Sequence, residues 1–324
     1  MAKGTAPVFE RLAIVGVGLI GSSIARAARA QGAAKTIVAT ARSAATRKRV
    51  AELKLADHVV ETNAAAAAGA DCVIVCVPVG ASGAVAAEIG PKLKEGAIVS
   101  DVGSVKGAVI AAMAPHVPAH AHLVPAHPVA GTEHSGPDAG FAELFDNRWC
   151  ILTPPEGADV AAVEKLKRFW QALGANVEVM NAEHHDLVLA ITSHLPHLIA
   201  YNIVGTAADL ENGTRGEVIK FSAGGFRDFT RIAASDPTMW RDVFLNNRDA
   251  VLEMLKRFNA DLSTLAGAID RGDGAALFDW FTRTRAIRRS IIEIGQETAA
   301  PDFGRPHGKS EPHVPMPRPY ASDD

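Results

Sequence analysis

Long apolar runs are scarce in this sequence of 324 residues, and none approaches the roughly 20 residues that a membrane-spanning helix needs. The first ten residues also lack the cationic stretch, apolar core and small-residue cleavage site of a secretory signal. We therefore expect no membrane association and a cytoplasmic location.

Cysteine is also rare. Cys72 and Cys76 lie in one apolar run, and Cys150 lies far from them in the sequence. This pattern is typical of buried thiols in a reducing compartment, and it favours packing over a nucleophilic role. Since no close set of cysteines and histidines completes four ligands, we predict no metal site.

A strong excess of one charge is absent too, because 33 basic residues against 36 acidic ones give a formal net charge of -3. That balance offers no electrostatic reason to bind nucleic acid, so a small molecule is the expected partner. The length and the 48% apolar content are those of a globular chain with two domains.

The first half of the chain alternates short apolar runs with helical patterns. The runs at 11–15, 36–40, 72–77, 97–101 and 123–126 are predicted strands. Strands that alternate with helices indicate βαβ units and a mostly parallel sheet, covered by helices on both faces. The predicted fold class is α/β, with an N-terminal Rossmann-like doubly wound sheet.

The second half is predicted to be an all-α domain for substrate binding and dimerisation. A helix at 160–173 and a short strand at 176–180 precede long helical periodicities at 245–269 and 274–297. The expected organisation is an N-terminal extension at 1–10, a dinucleotide-binding domain at 11–155, a helical domain at 156–298 and a disordered, proline-rich tail at 299–324.

A glycine turn follows the first predicted strand. Gly16 permits a tight turn, Gly18 lets the backbone approach a pyrophosphate, and Gly21 allows close packing of helix on strand. The intervening Leu19 and Ile20 place backbone N–H groups at a helix N-terminus, which attracts anions. We therefore predict a nicotinamide dinucleotide here.

The choice between NAD and NADP depends on the end of the second strand. An NAD enzyme usually carries an acidic residue there, but this chain has Ala41, followed by Arg42 and Ser43. An arginine could bind a 2′-phosphate, so NADP is favoured over NAD. Val77 and Pro78 lie at the end of the predicted strand at 72–77 and are expected to border the cofactor.

The chain resembles the prephenate and arogenate dehydrogenase family, also called cyclohexadienyl dehydrogenases, of tyrosine biosynthesis. The resemblance covers roughly residues 12–296 and rests on polar segments in the family's order: DVGSVK (101–106), HPVAGTEHSG (127–136), SHLPH (193–197), GGFRDFTRIA (224–233) and SDPTMW (235–240). It implies oxidation of a cyclohexadienol by hydride transfer to NAD(P)+, followed by loss of carbon dioxide. The implied product is 4-hydroxyphenylpyruvate from prephenate or tyrosine from arogenate.

By this resemblance, His127 accepts the proton of the ring hydroxyl, Ser104 bonds the same hydroxyl, and Arg231 holds the substrate carboxylate. The other residues that the resemblance places at the substrate are His197, Thr132, Glu133, Asp228 and Trp240. The long apolar helices of the second half independently predict a homodimer formed through the helical domain.

Several other histidines have plainer interpretations. His184 and His185 stand at a helix start and are expected at the surface, and His134 is expected to face solvent or a partner subunit. For His194, helix packing and a role in the site are equally good interpretations.

Two alternatives remain open. One is another two-domain NAD(P)-dependent oxidoreductase of hydroxyacids or imines, which would leave the HPVAGTEHSG segment unexplained. The other is a catalytically dead NAD(P)-sensing protein, against which the presence of Ser104, His127 and Arg231 argues.

Overall fold

A computed structural model describes residues 6–132, 134–209 and 223–293. Nine strands are assigned in these ranges: β1 (Phe9–Val15), β2 (Ala34–Thr40), β3 (His58–Val59), β4 (Cys72–Val75), β5 (Ile98–Asp101), β6 (His122–Leu123), β7 (Ala126–Pro128), β8 (Trp149–Leu152) and β9 (Asn176–Val179). The α-helices in the same ranges are α1 (Leu19–Gln31), α2 (Ala44–Glu52), α3 (Asn63–Ala67), α4 (Ser82–Ile89), α5 (Lys106–Met113), α6 (Val160–Ala172), α7 (Ala182–Leu189), α8 (Leu195–Asp209), α9 (Gly224–Thr230), α10 (Pro237–Asn246), α11 (Arg248–Asp270) and α12 (Gly274–Glu293).

The first sheet has six parallel strands in the order β3-β2-β1-β4-β5-β6. Strands β4 and β5 are buried along their whole length, as expected for a sheet covered on both faces. The chain crosses from β3 back to β4 on the other side of β1. Open α/β sheets bind ligands at such a reversal, outside the carboxyl ends of the strands. The predicted Rossmann-like architecture, followed by a helical domain, is confirmed.

A second sheet of three strands has the order β7-β8-β9, with β7 antiparallel and β9 parallel to β8. The sequence predicted a single strand at 123–126, and that prediction is wrong. Pro125 lacks the N–H that a continuous ladder needs, and the chain passes there from β6 in the first sheet to β7 in the second. The carbonyl of Pro125 instead accepts a hydrogen bond from the Thr153 N–H at 2.9 Å.

Helix α6 packs on the core of the first sheet although it lies beyond the predicted domain boundary at residue 155. Leu166, Phe169 and Trp170 are fully buried in the same apolar cluster as Phe9 and Leu12. Since α6 connects two strands of the second sheet, we propose that the N-terminal domain extends to about residue 180.

The helical half differs from the sequence expectation in one respect that matters for the site. The helix predicted at 245–269 begins only at Arg248, and Leu245 belongs to the preceding α10. Asn247 separates the two helices, and its side chain is buried and bonded to the backbone of α7. The second predicted helix, at 274–297, is observed as α12 as far as the described residues extend.

One helical stretch of the described residues, Ala182–Asp209, is long and apolar enough by length and composition to cross a membrane. It comprises α7, a π-helical segment (Ala190–His194) and α8. The apolar runs of the sequence predict no segment of this kind. His185 and His194 of this stretch are fully buried in the protein, so it contributes polar side chains to the interior of the fold.

Candidate functional site

The glycine turn between β1 and α1 has the close contacts that require glycine. Gly16 has φ +92°, and a Cβ there would lie 2.4 Å from the carbonyl oxygen of Cys76. A Cβ on Gly21 would lie 2.2 Å from the carbonyl oxygen of Gly16. These contacts fix the turn against the end of β4. At this point, between β1 and β4, the order in which the strands are added to the sheet reverses.

Gly18 differs from Gly16 and Gly21, because a Cβ on Gly18 would meet no atom within 4 Å. Gly18 stands at the N-cap of α1, and no side chain among the described residues caps that helix. The first turn also carries no acidic residue. An open approach to an uncapped helix N-terminus fits the pyrophosphate of a dinucleotide, which takes up the free N–H groups there.

The segment after β2 is basic and well ordered by its own hydrogen bonds. The Arg47 guanidinium donates to the carbonyls of Ala41 and Arg42 at 2.8 and 3.1 Å. The Ser43 hydroxyl accepts from the Thr46 N–H at 3.0 Å and caps α2, and Arg42 is exposed. Ser43 therefore has a structural role that the sequence analysis did not foresee.

The end of β4 connects the glycine turn to the polar segment after β5. The Val77 side chain lies 3.1 Å from the position of a Cβ on Gly16, and Val79 lies at the same distance from a Cβ on Gly103. Pro78 stands between these two valines. Val77 and Pro78 thus lie between the glycine turn and the Ser104 segment.

A buried ion pair supports the Ser104 segment. The Lys106 ammonium lies 2.5 Å from the Asp101 carboxylate and donates to the Ala126 carbonyl at 2.7 Å. The Asp101 carboxylate also accepts from the backbone N–H groups of Gly103 at 2.7 Å and Ala126 at 3.3 Å. This network ties the end of β5 to the start of β7, the strand that carries His127.

His127 is buried and belongs to a chain of three polar side chains. Its Nδ1 lies 2.8 Å from Nε2 of His185, and Nδ1 of His185 lies 2.8 Å from Oδ1 of Asp186. The Asp186 carboxylate also accepts the N–H groups of Lys106 and Gly107, each at 2.8 Å. The two histidine rings meet edge to face, with centroids 5.0 Å apart.

The electrostatic surroundings of His127, His185 and Asp186 favour a neutral His127 and an ionised Asp186. Burial holds the pKa of His127 well below its usual 6.5, and the nearby His185, Lys106 and His194 lower it further. For Asp186 the pKa is below the usual value, because hydrogen bonds from His185 and two backbone N–H groups outweigh the effect of burial. A neutral imidazole can accept a proton, which is what a general base must do.

His194 is buried beside the hydrogen-bonded side chains of His127, His185 and Asp186. Asn247 donates its Nδ2–H to the Asp186 carbonyl at 2.8 Å and lies 3.0 Å from Nδ1 of His194. Burial lowers the pKa of His194 to about 4, while the backbone of Ser104 and the charge of Asp186 oppose that shift. His194 therefore connects the Ser104 segment to the helical half.

His197 stacks on Trp240, with ring centroids 3.6 Å apart and planes at 23°. Its Nδ1–H donates to the Ser193 carbonyl at 2.8 Å, which leaves Nε2 as the acceptor of the neutral ring. Burial lowers the pKa of His197, and the charge of Arg231 lowers it further. Arg231, just after α9, therefore lies near His197.

Two of the remaining predicted residues, Thr132 and Asp228, lie within the described ranges. Thr132 is half-buried and lines a cavity of about 420 Å³ with Ser135, Asp138 and Phe141. Asp228 is exposed on α9. Glu133 lies outside the described residues. No group of three or more His, Cys, Asp or Glu side chains in the described ranges could hold a metal ion.

Comparison with known proteins places this site in a family. A family model described as "Prephenate dehydrogenase, nucleotide-binding domain" matches residues 24–179, and one described as "Prephenate dehydrogenase, dimerization domain" matches residues 181–283. The chain belongs to the prephenate dehydrogenase family. The resemblance stated from the sequence motifs is confirmed.

Individual members of the prephenate dehydrogenase family agree with this assignment. The chain is 44% identical to a cyclohexadienyl dehydrogenase of Zymomonas mobilis over 88% of this chain and 97% of that one. It is 33% identical to a prephenate dehydrogenase of Bacillus subtilis over 91% and 79% of the two chains. A crystal structure of prephenate dehydrogenase from Aquifex aeolicus, in complex with hydroxyphenyl propionate and NAD+, superposes with a TM-score of 0.81 at 31% identity and covers 90% of this chain and 100% of that one.

Membership of the prephenate dehydrogenase family also confirms the predicted class of enzyme, an oxidoreductase of tyrosine biosynthesis. The two alternatives, a hydroxyacid or imine oxidoreductase and a catalytically dead sensor, are not favoured.

The structure corrects the expectation for His185. The sequence predicts a surface position for both His184 and His185, but His185 is fully buried and only His184 is exposed. Asn247 was likewise not singled out. Cys72 and Cys150 are buried, as expected, whereas Cys76 is half-buried. Burial raises the thiol pKa of all three cysteines.

Proposed function

We propose that this protein catalyses the oxidative decarboxylation of prephenate, arogenate or both, with His127 as the general base. The observation that carries the proposal is the buried His127, whose pKa is held well below 6.5 by burial and by the neighbouring His185, Lys106 and His194. The bound nicotinamide would accept the hydride from the ring carbon that carries the hydroxyl.

His127 takes up the hydroxyl proton as that hydride leaves, and the ring carbon becomes a ketone carbon. The bond between the ring and its carboxylate then breaks and carbon dioxide departs. The electrons of that bond complete the aromatic ring and pass to the ketone oxygen, which takes up a proton to become the phenol hydroxyl. Because aromatisation makes this loss strongly favourable, the protein has to assist only the removal of the proton and the hydride. A positioned base contributes roughly 10²–10⁴-fold to such a step.

Ser104 and Arg231 are the proposed partners of His127. Ser104 follows β5, near enough to His194 for its backbone to influence that ring, and its hydroxyl is proposed to bond the substrate hydroxyl. Arg231 is proposed to hold a substrate carboxylate, because a guanidinium can form paired hydrogen bonds to it. The stacked His197 and Trp240 would form one wall of the pocket. Thr132, Glu133 and Asp228 are proposed to bind the substrate as well.

The cofactor site is proposed for Gly16, Gly18, Leu19, Ile20, Gly21, Val77 and Pro78, with Arg42 and Ser43 near the adenosine ribose. NADP is the favoured cofactor within the broader NAD(P) assignment. Three features support it: Ala41 stands where an acidic residue would repel a 2′-phosphate, Arg42 is exposed beside it, and Arg47 adds a second positive charge at the strand end.

A homodimer formed through the helical half is proposed as the active assembly. Five large apolar side chains of α10, α11 and α12 are more than half exposed in the single chain: Leu245, Ile269, Phe278, Phe281 and Ile287. Apolar surface of this kind marks an interaction face. Light scattering on the purified protein should give twice the chain mass of 34.0 kDa. A mass of one chain at micromolar concentration would contradict the dimer.

A kinetic matrix of two substrates and two cofactors tests the proposed activity. Prephenate and arogenate are each incubated with NAD+ and NADP+, and the reduced nicotinamide is followed by absorbance. We expect turnover with at least one substrate, with stoichiometric release of carbon dioxide. If none of the four combinations yields reduced cofactor, the proposed function is wrong.

A further inference from the structure

His185 is a buried titratable group that the proposed mechanism does not yet use. It lies between His127 and Asp186 with both ring nitrogens in hydrogen-bond contact, at 2.8 Å on each side. A solvated side chain at a helix start would have no such pair of partners. The geometry therefore raises the question of which nitrogen carries each proton.

The Asp186 carboxylate fixes the first proton. It is ionised, because its pKa lies below the usual value, and a carboxylate can only accept. Nδ1 of His185 must therefore donate to it. The Asp186 oxygens are also held by the N–H groups of Lys106 and Gly107 at the start of α5, so this acceptor stays in place.

The second proton lies between Nδ1 of His127 and Nε2 of His185, and its position depends on the charge of His185. If the His185 ring is neutral, its Nε2 is an acceptor. His127 must in that case donate its Nδ1–H to His185, and the lone pair of the His127 ring is on Nε2. A charged His185 would reverse this contact and put the His127 proton on Nε2. That arrangement would leave His127 unable to accept a proton there.

We propose that His185 is a positioning residue that holds His127 in the tautomer with a proton on Nδ1 and a free lone pair on Nε2. This inference rests on the proposed function only in naming the hydroxyl proton as the one that Nε2 accepts. When that proton arrives, His127 becomes an imidazolium whose Nδ1–H still points to His185. The charge is then supported through His185 by the fixed Asp186 carboxylate.

The wild-type protein allows a test that does not depend on activity. Protein labelled with ¹⁵N at histidine is studied by two-bond ¹H–¹⁵N correlation spectra near neutral pH, and the His127 signals are assigned by their loss in His127→Asn. We expect a protonated Nδ1 and an unprotonated Nε2. A proton on Nε2 of His127 would overturn the proposal even if the enzyme is fully active.

Two substitutions at the same position separate positioning from packing. His185→Leu removes the acceptor, whereas His185→Gln places a carboxamide oxygen near the position of Nε2. We expect His185→Leu to lower kcat by roughly 10²-fold, with the cofactor Kd unchanged, and His185→Gln to recover at least a tenfold part of that loss. Equal losses in the two variants would contradict a positioning role.

His184→Leu is the matched control, because His184 is the preceding histidine of α7 and is exposed. Its kcat should equal that of the wild type. If His185→Leu does not fold, the tautomer measured in the wild type still decides the question. If the wild type turns over none of the candidate substrates, the proposed function fails while the tautomer can still be read from the spectra.

Discussion

The ammonium of Lys106 and the carboxylate of Asp101 form an ion pair at 2.5 Å, with side-chain exposures of 0% and 2%. Burial lowers the pKa of Lys106, and the adjacent Asp101 opposes that shift. The pair joins β5 to β7 and so fixes the position of the Ser104 segment relative to His127. Their contact is therefore a structural support of the site.

We predict that Asp101→Asn lowers the free energy of unfolding by about 3–5 kcal/mol, because the substitution leaves a buried charge without its partner. Urea titrations of the purified protein measure the loss. The double variant Asp101→Asn with Lys106→Met should recover part of it, since both charges are then gone.

An exposed ion pair provides the control for this experiment. Lys35 and Glu10 lie 2.9 Å apart at the surface, so Glu10→Gln should leave the urea midpoint unchanged. Equal effects of Asp101→Asn and Glu10→Gln would show that the buried pair is not a support of the site.

Stability should fall as the pH falls below 6.5. His127, His194 and His197 all have pKa values below the usual 6.5, so in this window the unfolded chain binds protons that the folded chain does not. Stability from these residues is complete above the unfolded pKa of 6.5. It is lost as the pH falls, down to about 4 for His194, at up to about 1.4 kcal/mol per pH unit for each group.

Urea titrations at pH 7.5, 6.5, 5.5 and 4.5 check this prediction. Within that range the lowered pKa of Asp186 contributes little, because its carboxylate remains ionised. His194→Gln should flatten the dependence, whereas His184→Gln, at an exposed position, should not. A stability that stays constant from pH 7.5 to 4.5 would be inconsistent with histidines buried in their neutral form.

The glycine turn predicts opposite outcomes for two similar substitutions. Gly18→Ala has room for its Cβ, so the melting temperature should be unchanged while the cofactor Kd rises at least tenfold, because the methyl group obstructs the approach of the pyrophosphate. Gly16→Ala should instead destabilise the fold, since its Cβ would collide with the Cys76 carbonyl at a positive φ.

Differential scanning calorimetry and a fluorescence titration with the reduced cofactor measure the two effects of these glycine substitutions. An unchanged Kd in Gly18→Ala would place the pyrophosphate elsewhere.

The residue after β2 is predicted to set the choice of cofactor. Ala41→Asp adds a carboxylate that can bond the ribose 2′-hydroxyl and would repel a 2′-phosphate. The ratio of kcat/KM for NADP+ to that for NAD+ should fall by at least tenfold. Arg42→Ala should lower the same ratio by less, and Arg49→Ala, which breaks an ion pair with Asp138, is the control. No change in the ratio for Ala41→Asp would contradict the proposed position of the ribose.

Much of this molecule could be predicted from the sequence because the relevant signals are local. A buried parallel strand is a continuous apolar run, and the glycine turn needs its glycines at fixed spacing, as Gly16 and Gly21 show by their backbone contacts. The split at Pro125 was not predicted, because the apolar run 123–126 continues across the point where the chain changes sheet. Only the pairing partners, β5 and β8, distinguish the two halves of that run.

The site was predicted less completely for a similar reason. His184 and His185 are neighbours in α7, and one step of about 100° around the helix separates solvent from the interior. The spacing of His185 and Leu189, four residues apart and both buried, is a signal that could have identified the inward face. Asn247 interrupts an apolar periodicity that otherwise predicts one helix, and its buried partners come from α7 and His194.

The proposed general base allows the most direct test. His127→Asn removes the ring that accepts the proton but leaves the glycine turn and Arg231 in place, so kcat should fall by at least 10²-fold while the cofactor Kd stays within about twofold of the wild type. His184→Asn should have wild-type kcat. Near-normal turnover by His127→Asn, with prephenate or arogenate as substrate, would contradict the assignment of His127 as the base.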